Sequence, residues 1–409
     1  MATTIIASVP QPVTINQASQ ENAGVLCHQV VDDIGHWLLF KKRDEDLYAV
    51  GSISVDRYLV VPASKLNVTM RIIQYLDGSH DPAWIQQQMR SEFGREVKIA
   101  ELFIKLRSAG LIKTAQMAPS AHSEMLRHSL RLFSFSVEGI FHHLTSMRLL
   151  FSKYLLTGGV VFIALVFALV HMPKNNPAHP VHMSYGVYTG LWIGVLAIAL
   201  LHEAFHGFAG LQYGLAPTRI TAALYLGFIP YAFITIPGIY TIPPFRRIVL
   251  WCAGIYANLL LAAALLLAQV HLSNDLAGLV LRSFIYINLS LVFFNLLPFM
   301  GTDSYFILST LFKIPNIRTN AYLEFKNWIR GENHRFKGFL IVYFFLSALL
   351  IAYFASNLIV SAYVTVATVR SQGLHWQALS RAWPFALIFL SFVVRRMWDN
   401  RIRSLQNPR

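Results

Sequence analysis

Long apolar runs alternate with short loops through the second half of the chain. A helix that crosses a membrane needs about 20 predominantly apolar residues. Runs close to that length predict membrane spans at residues 154–171, 185–207, 248–270, 277–298, 338–358 and 378–395. The hydrophobic pattern therefore predicts a mainly α, polytopic protein with six transmembrane helices, in a membrane domain over residues 154–398 that a basic tail follows at 399–409.

The first part of the chain has the pattern of a small soluble domain. After a flexible lead at residues 1–20, the domain at 21–115 contains two short runs rich in Val, Ile and Tyr, DLYAVGSI and VDRYLVVP, which are typical of strands. Three short helical patterns follow, and they end near Gly78, Gly94 and Gly110. Strands followed by three short helices predict a winged-helix-like fold.

Two stretches between these regions have mixed patterns. Residues 116–153 are basic, aromatic and apolar by turns, which predicts helices lying on the membrane surface; His142 and His143 there are typical of exposed histidines. Residues 213–240 are apolar but interrupted by glycine and proline. This pattern indicates a hairpin or re-entrant sheet at membrane depth, or alternatively an ordinary interfacial loop.

Composition and charge favour the membrane interpretation. The chain is 55% hydrophobic and 13% charged, with a mean hydropathy of +0.48, whereas soluble domains carry about 25% charged residues. The net charge of +14 does not indicate nucleic-acid binding, because the basic residues of the second half cluster in loops near 212–247 and 313–337 and in the tail. This bias places both termini in the cytoplasm, and we expect a multi-pass protein of a bacterial cytoplasmic membrane.

The candidate chemistry lies in the sequence LHEAFHGF, at the end of the second predicted span. His202 and His206 are one helical turn apart, so both imidazoles can reach one metal ion. Glu203 stands beside them, where it can take a proton from a metal-bound water. Two cysteines in different regions provide neither a disulfide framework nor a cysteine metal site.

A catalytic zinc ion normally has a third protein ligand. Carboxylates are scarce after residue 150, and most of them fall in loops or in the tail. Elimination leaves Asp303, which follows the fourth predicted span at the depth of the histidines. A helix-capping aspartate at the membrane surface is the alternative.

Three motifs in this order resemble the site-2 protease family of intramembrane zinc proteases. They are HEAFH, AGIYAN with Asn258, and NLLP followed by Asp303. The resemblance implies that His202, His206 and Asp303 bind one Zn²⁺, that Glu203 is the catalytic base, and that Asn258 positions the substrate backbone or oxyanion. Two departures from the family pattern are Ile255, where proline is usual, and Ser304, where glycine is usual.

The first domain resembles the PqqD-like family, which holds leader peptides during the maturation of ribosomal peptides. Leu76-Asp77-Gly78, Phe93-Gly94 and Gly110-Leu111-Ile112 carry this likeness. It implies that a peptide adds as a strand to the exposed edge of the sheet, whereas a generic winged-helix adaptor is the alternative.

Together these features predict a zinc metalloendopeptidase in contact with the lipid bilayer. Its substrate is expected to be a ribosomally made peptide, with peptide-export partners, or a membrane-tethered regulator. A transporter or export component with a structural metal site and an inactive binding protein are the rival classes. Glu203 argues against both, because a structural site does not need it.

Overall fold

The computed structural model describes residues 5–6, 29–94, 98–113, 129–170, 185–225, 229–270, 276–298, 302–331 and 338–372. This part of the chain is mainly helical and contains two small sheets. Three of its helices are long and apolar enough to cross a membrane: Ile193–Gln212, Pro244–Gln269 and Leu276–Leu296. A fourth crossing is formed if the consecutive helices Thr145–Phe151 and Lys153–Leu169, bent by 60°, count as one. These helices indicate a membrane protein.

The described residues thus contain three or four candidate spans rather than the six predicted. The predicted span at 154–171 is one limb of the bent pair. The predicted span at 338–358 lies on one continuous helix, Gly338–Gln372, of which Gly338–Tyr353 is the described apolar stretch. The run at 378–395 and the basic tail at 399–409 lie outside the described residues.

The N-terminal domain is built on a four-stranded sheet in the order β1-β4-β3-β2. The strands are β1 (Ile5–Ile6), β2 (Ile34–Phe40), β3 (Leu47–Ser52) and β4 (Arg57–Pro62). β2, β3 and β4 are antiparallel, and β1 pairs with β4 in parallel. β1 is the only described part of the predicted flexible lead at residues 1–20.

Three helices follow the sheet: α1 (Ala63–Tyr75), α2 (Pro82–Phe93) and α3 (Ile99–Ser108). The predicted strands and helices are present in the predicted order, and β1 and β2 are additional strands. α2 begins where the Asp81 carboxylate accepts the Trp84 N–H at 2.6 Å and ends at Gly94, whose φ of 63° favours glycine. The core between sheet and helices includes Val50, Leu59, Ile72, Ile85, Met89, Leu106 and Leu111.

A second sheet joins two distant parts of the chain. It comprises β5 (Ser129–Ser136), β6 (Arg219–Tyr225) and β7 (Ile229–Thr235), antiparallel in that order. The hairpin predicted within 213–240 is therefore present, in place of the alternative, an ordinary interfacial loop.

The prediction of interfacial helices at residues 116–153 is wrong for β5. Polar and apolar positions alternate in SLRLFSFS around a register shift between Arg131 and Phe133, and β6 offers the pairing partner. In the described part of this stretch, residues 129–153, the helical segments are α4 (Glu138–His143) and the 3-10 segment Thr145–Phe151, which both follow β5. Both histidines of α4, His142 and His143, are exposed, as predicted.

The remaining helices are α5 (Lys153–Leu169), α6 (Tyr185–Gln212), α7 (Pro244–Gln269), α8 (Leu276–Leu296), α9 (Asp303–Leu311), α10 (Ile317–Ile329) and α11 (Gly338–Gln372). α7 is central, because it packs against α5, α6, α8 and α9. β7 packs against α6. This arrangement brings parts of α6, α7, α9 and β7 around one buried point.

Candidate metal centre

Helix α6 presents the HEAFH residues on the face that it buries. His202, Glu203 and His206 are 5%, 4% and 0% exposed. His202 and His206 are four residues apart, which puts the two imidazoles on one side of the helix. Their ring centroids are 5.0 Å apart. The metal-ligating atoms of all three side chains lie within 4.8 Å of one another.

Asp303 reaches the same point from the start of α9. Its oxygen Oδ2 lies 3.2 Å from Nε2 of His202, and Oδ1 lies 3.4 Å from Nε2 of His206. The preceding residue, Thr302, is extended, and its hydroxyl donates to the Leu297 carbonyl at 2.5 Å. The Asp303 carboxylate is fully buried and, apart from these imidazoles, has no hydrogen-bond partner among the described residues.

The spacing of these donor atoms fits a zinc ion. The two Nε2 atoms are 3.3 Å apart, and each lies 3.2 or 3.4 Å from a different oxygen of the Asp303 carboxylate. Tetrahedral zinc with bonds of about 2.0–2.1 Å separates neighbouring ligand atoms by about 3.3–3.4 Å. A buried carboxylate also needs a compensating positive charge. These donors therefore have the spacing and the chemistry of three zinc ligands.

A backbone carbonyl orients the second imidazole. Nδ1 of His206 lies 2.8 Å from the Leu250 oxygen on α7. Because a carbonyl only accepts, Nδ1 carries the hydrogen, and the lone pair of Nε2 points toward His202 and Asp303. Such a second contact fixes the ring orientation of a metal-binding histidine.

A strand of the second sheet holds Glu203. Its oxygen Oε2 accepts the N–H of Ile234 in β7 at 2.9 Å. Ile234 is fully buried, and β7 is the last strand of the described sheet. This hydrogen bond fixes the carboxylate beside the imidazoles, on the side where β7 lies.

Gly254 of α7 leaves the space in which the donors meet. A Cβ atom at this position would lie 2.3 Å from Nε2 of His202 and 2.5 Å from Nε2 of His206. Real Cβ atoms do not approach other atoms this closely, so any side chain here would collide with both imidazoles. The sequence places Gly254 inside the AGIYAN motif without revealing this reason for it.

Asn258 lies one helical turn beyond Gly254 on the same side of α7. It is 0% exposed, and neither amide atom has a hydrogen-bond partner among the described residues. A buried amide without partners is costly. It is therefore available to a group that enters the site.

Asn295 and Pro298, which belong to the NLLP motif, make their hydrogen bonds away from the centre. Asn295 donates to the Leu291 carbonyl of its own helix, and the Pro298 carbonyl accepts the hydroxyl of Tyr343; neither contact involves the centre. Ser304 lies within α9 and is not among the described residues with positive φ. The backbone therefore does not require glycine at that position.

Sequence reasoning missed three contributors to the centre: Gly254, the Leu250 carbonyl and the Ile234 N–H. The last two are backbone groups: any amino acid would supply the carbonyl at position 250, and any except proline would supply the N–H at position 234. No family model matches the chain, and no curated protein and no solved structure is significantly similar to it.

Proposed function

We propose that the protein is an intramembrane zinc metalloendopeptidase. The observation that supports this most strongly is the set of separations of 3.2–3.4 Å among donor atoms of His202, His206 and Asp303. These three residues would hold the ion. When bound, zinc supplies a Lewis acid and lowers the pKa of a coordinated water toward about 7.

Glu203 is the general base in this proposal. Although its ligating atom is close enough to the imidazoles to bind metal as well, the Ile234 N–H holds its Oε2 toward β7, and Asp303 contacts both imidazoles. Asp303 is therefore the better third ligand. The Glu203 carboxylate takes a proton from the attacking water and gives it to the nitrogen of the leaving amine.

Asn258 stabilises the reacting carbonyl group. Asn258 is one of the buried residues of α7, and its side-chain NH₂ has no hydrogen-bond partner among the described residues. A hydrogen bond from this amide to the oxygen that gains negative charge strengthens in the transition state.

The substrate segment is extended and pairs with β7. A helical substrate hides its carbonyls in hydrogen bonds to the residue four positions later. β7 pairs with β6 along one edge, while the Ile234 N–H points to Glu203. A peptide strand along that second edge would bring its carbonyls to the centre.

The N-terminal domain is proposed to be a PqqD-like, winged-helix recognition domain for the substrate. Its strands and three helices occur in the order that this likeness implies. The substrate is then a ribosomally made peptide, with peptide-export proteins as partners; a membrane-tethered regulator is the alternative. In this proposal the protein lies in a bacterial cytoplasmic membrane, with six spans and both termini in the cytoplasm.

Glu203→Gln tests the proposed chemistry. We would incubate the purified, zinc-loaded protein in detergent with a library of apolar 20-residue peptides and identify products by mass spectrometry. Wild type should cut at discrete sites, and Glu203→Gln should retain one zinc ion but cut about 10²–10⁴-fold more slowly. Glu138→Gln, a change at an exposed position of α4, is the matched control and should cut like wild type.

Cleavage by Glu203→Gln at the wild-type rate, with zinc still bound, would show that Glu203 is not the base. A zinc-loaded wild type that cuts no peptide in the library would favour a structural metal site in an export component.

A further inference from the structure

The N-terminal domain contacts three separate segments that build the candidate metal centre. We call these contacts the interdomain joint. On the N-terminal side it comprises Leu39, Phe40, Lys41, Asp56 and Tyr58, and on the membrane-domain side Gly238, Tyr240, Arg247 and Lys313. The three segments are the one after β7, the start of α7 and the one after α9.

The first contact is made to the segment that follows β7. The Gly238 N–H donates to the Asp56 carboxylate at 3.2 Å, and the Tyr58 and Tyr240 rings meet edge to face with centroids 5.7 Å apart. Gly238 comes shortly after Ile234, whose N–H holds Glu203. This contact thus fixes the end of the strand that orients the proposed base.

The second contact is made by Arg247 in the first turns of α7. Its guanidinium group is fully buried, donates to the Leu39 carbonyl at 2.5 Å and lies over the rings of Phe40 and Tyr240. The two ring centroids are 5.5 and 5.7 Å away. A buried guanidinium that loses such a partner is strongly destabilised, so Arg247 ties α7 firmly to β2.

Two groups that shape the centre lie about one helical turn after Arg247. Leu250 supplies the carbonyl that orients His206. Trp251 stacks on Phe306 of α9 with centroids 4.6 Å apart and an interplanar angle of 22°. Phe306 is in turn about one turn after Asp303. The position of Arg247 along α7 therefore affects both sides of the ligand set.

The third contact is made to the segment after α9. Nζ of Lys313 donates to the Lys41 carbonyl at 2.7 Å. α9 begins with Asp303 and ends at Leu311. The end of β2 is therefore bound by both α7 and the segment after α9.

We infer that the N-terminal domain holds the metal centre in shape through this joint, with Arg247 and Asp56 as positioning residues. The inference rests on the proposed metal site and concerns how metal binding at that site is regulated. β7, α7 and α9 carry or orient Glu203, His206 and Asp303, and one domain contacts β7's following segment, α7 and the segment after α9. A ligand that shifts the N-terminal domain would change metal affinity by changing how these segments are held, and metal binding would change the affinity for that ligand by the same factor.

Cobalt binding by the full-length protein in detergent micelles tests the inference, with Co²⁺ as the probe. Its visible absorption reports coordination geometry, and titration gives Kd, so no substrate is needed. Asp56→Gly removes the acceptor of the Gly238 N–H without straining the backbone, whose φ at Asp56 is 50°. Asp56→Asn keeps an acceptor oxygen and tolerates this φ, so it is the matched control.

Arg247→Met and Arg247→Lys form a second pair. Met removes the charge and the donor, whereas Lys retains both. Loss of groups that orient metal ligands typically weakens metal binding about 10–100-fold. We expect Asp56→Gly and Arg247→Met to raise the Kd for Co²⁺ about tenfold and to change its absorption spectrum, whereas Asp56→Asn keeps the wild-type spectrum and Arg247→Lys restores most of the affinity.

The possible outcomes separate the two proposals. Suppose that wild type binds Co²⁺ and that Asp56→Gly and Arg247→Met both have the wild-type Kd and absorption spectrum. The inference is then wrong, even if these variants unfold at a lower temperature. If Arg247→Met does not fold, Asp56→Gly alone decides. If wild type binds no more Co²⁺ than a His202→Ala, His206→Ala double variant, the proposed metal site is wrong and the inference falls with it.

Discussion

The replacement of Gly254 by alanine should separate folding from metal binding. The added Cβ would lie 2.3 Å from Nε2 of His202 and 2.5 Å from Nε2 of His206. A zinc ion would lie about 2.0–2.1 Å from the same two nitrogens. The methyl group therefore takes the volume that the ion needs, and at least one imidazole must move away.

The two expected effects have opposite signs. Alanine in a helix interior is favoured over glycine by about 1 kcal/mol, so α7 itself should gain stability. Loss of groups that only orient ligands weakens metal binding about 10–100-fold. Displacing a ligand should exceed this, and a 100-fold loss corresponds to about 2.7 kcal/mol. We expect a folded Gly254→Ala protein with little zinc.

Zinc content by elemental analysis, titration of metal-free protein and thermal unfolding by circular dichroism would measure these effects. Gly158→Ala is the control, because a Cβ at this helical position of α5 meets no atom within 4 Å. It should bind zinc like wild type. One equivalent of zinc bound to Gly254→Ala with wild-type affinity would refute the steric argument and the assignment of the centre.

Three further predictions concern the ligand set and the N-terminal domain. Among the described residues, Asp303 has the only carboxylate that contacts both imidazoles. Asp303→Asn should therefore weaken zinc binding at least about 10-fold, whereas Asp44→Asn, at an exposed position, should not. Equal zinc affinities of Asp303→Asn and wild type by titration would exclude Asp303 as a ligand. Chelation of the wild type should lower its melting temperature, since free Zn²⁺ at about 1,000 times Kd stabilises a protein by about 4 kcal/mol; an unchanged melting curve would mean that the metal does not bind the folded state. Partial burial raises the pKa of Asp33, but hydrogen bonds from Ser52 and Ser54 outweigh this effect and lower the pKa below its ordinary value. This contribution to stability is present above the pKa of the unfolded state and is lost as the pH falls through the pKa of the folded state. In Asp33→Asn the free energy of unfolding should therefore change less with pH in the acid range than in wild type.

The parts of the centre that the sequence predicted are those with a local or a compositional signal. His202, Glu203 and His206 follow from helical spacing alone. Asp303 followed from the scarcity of carboxylates in the apolar half, because a charge buried there is costly unless it is used. The structure places all four side chains together.

The parts that the sequence did not predict depend on distant contacts. β5 is a strand because β6 pairs with it, and β6 lies more than 80 residues later. Gly254 is required by two imidazoles on another helix. The described residues contain three or four candidate spans rather than six, in part because an apolar run does not by itself specify a straight crossing: the first run forms a bent pair.

The second sheet constrains the order in which the protein can fold. β5 precedes α5 and α6 in the chain, whereas β6 and β7 follow them. The sheet can close only after both helices have been synthesised and have returned the chain to β5, and such long-range pairing forms slowly. Because the Ile234 N–H that holds Glu203 belongs to β7, the proposed base reaches its final position late in folding. A nascent chain would therefore form the apolar helices α5 and α6 before the proposed base is held in place.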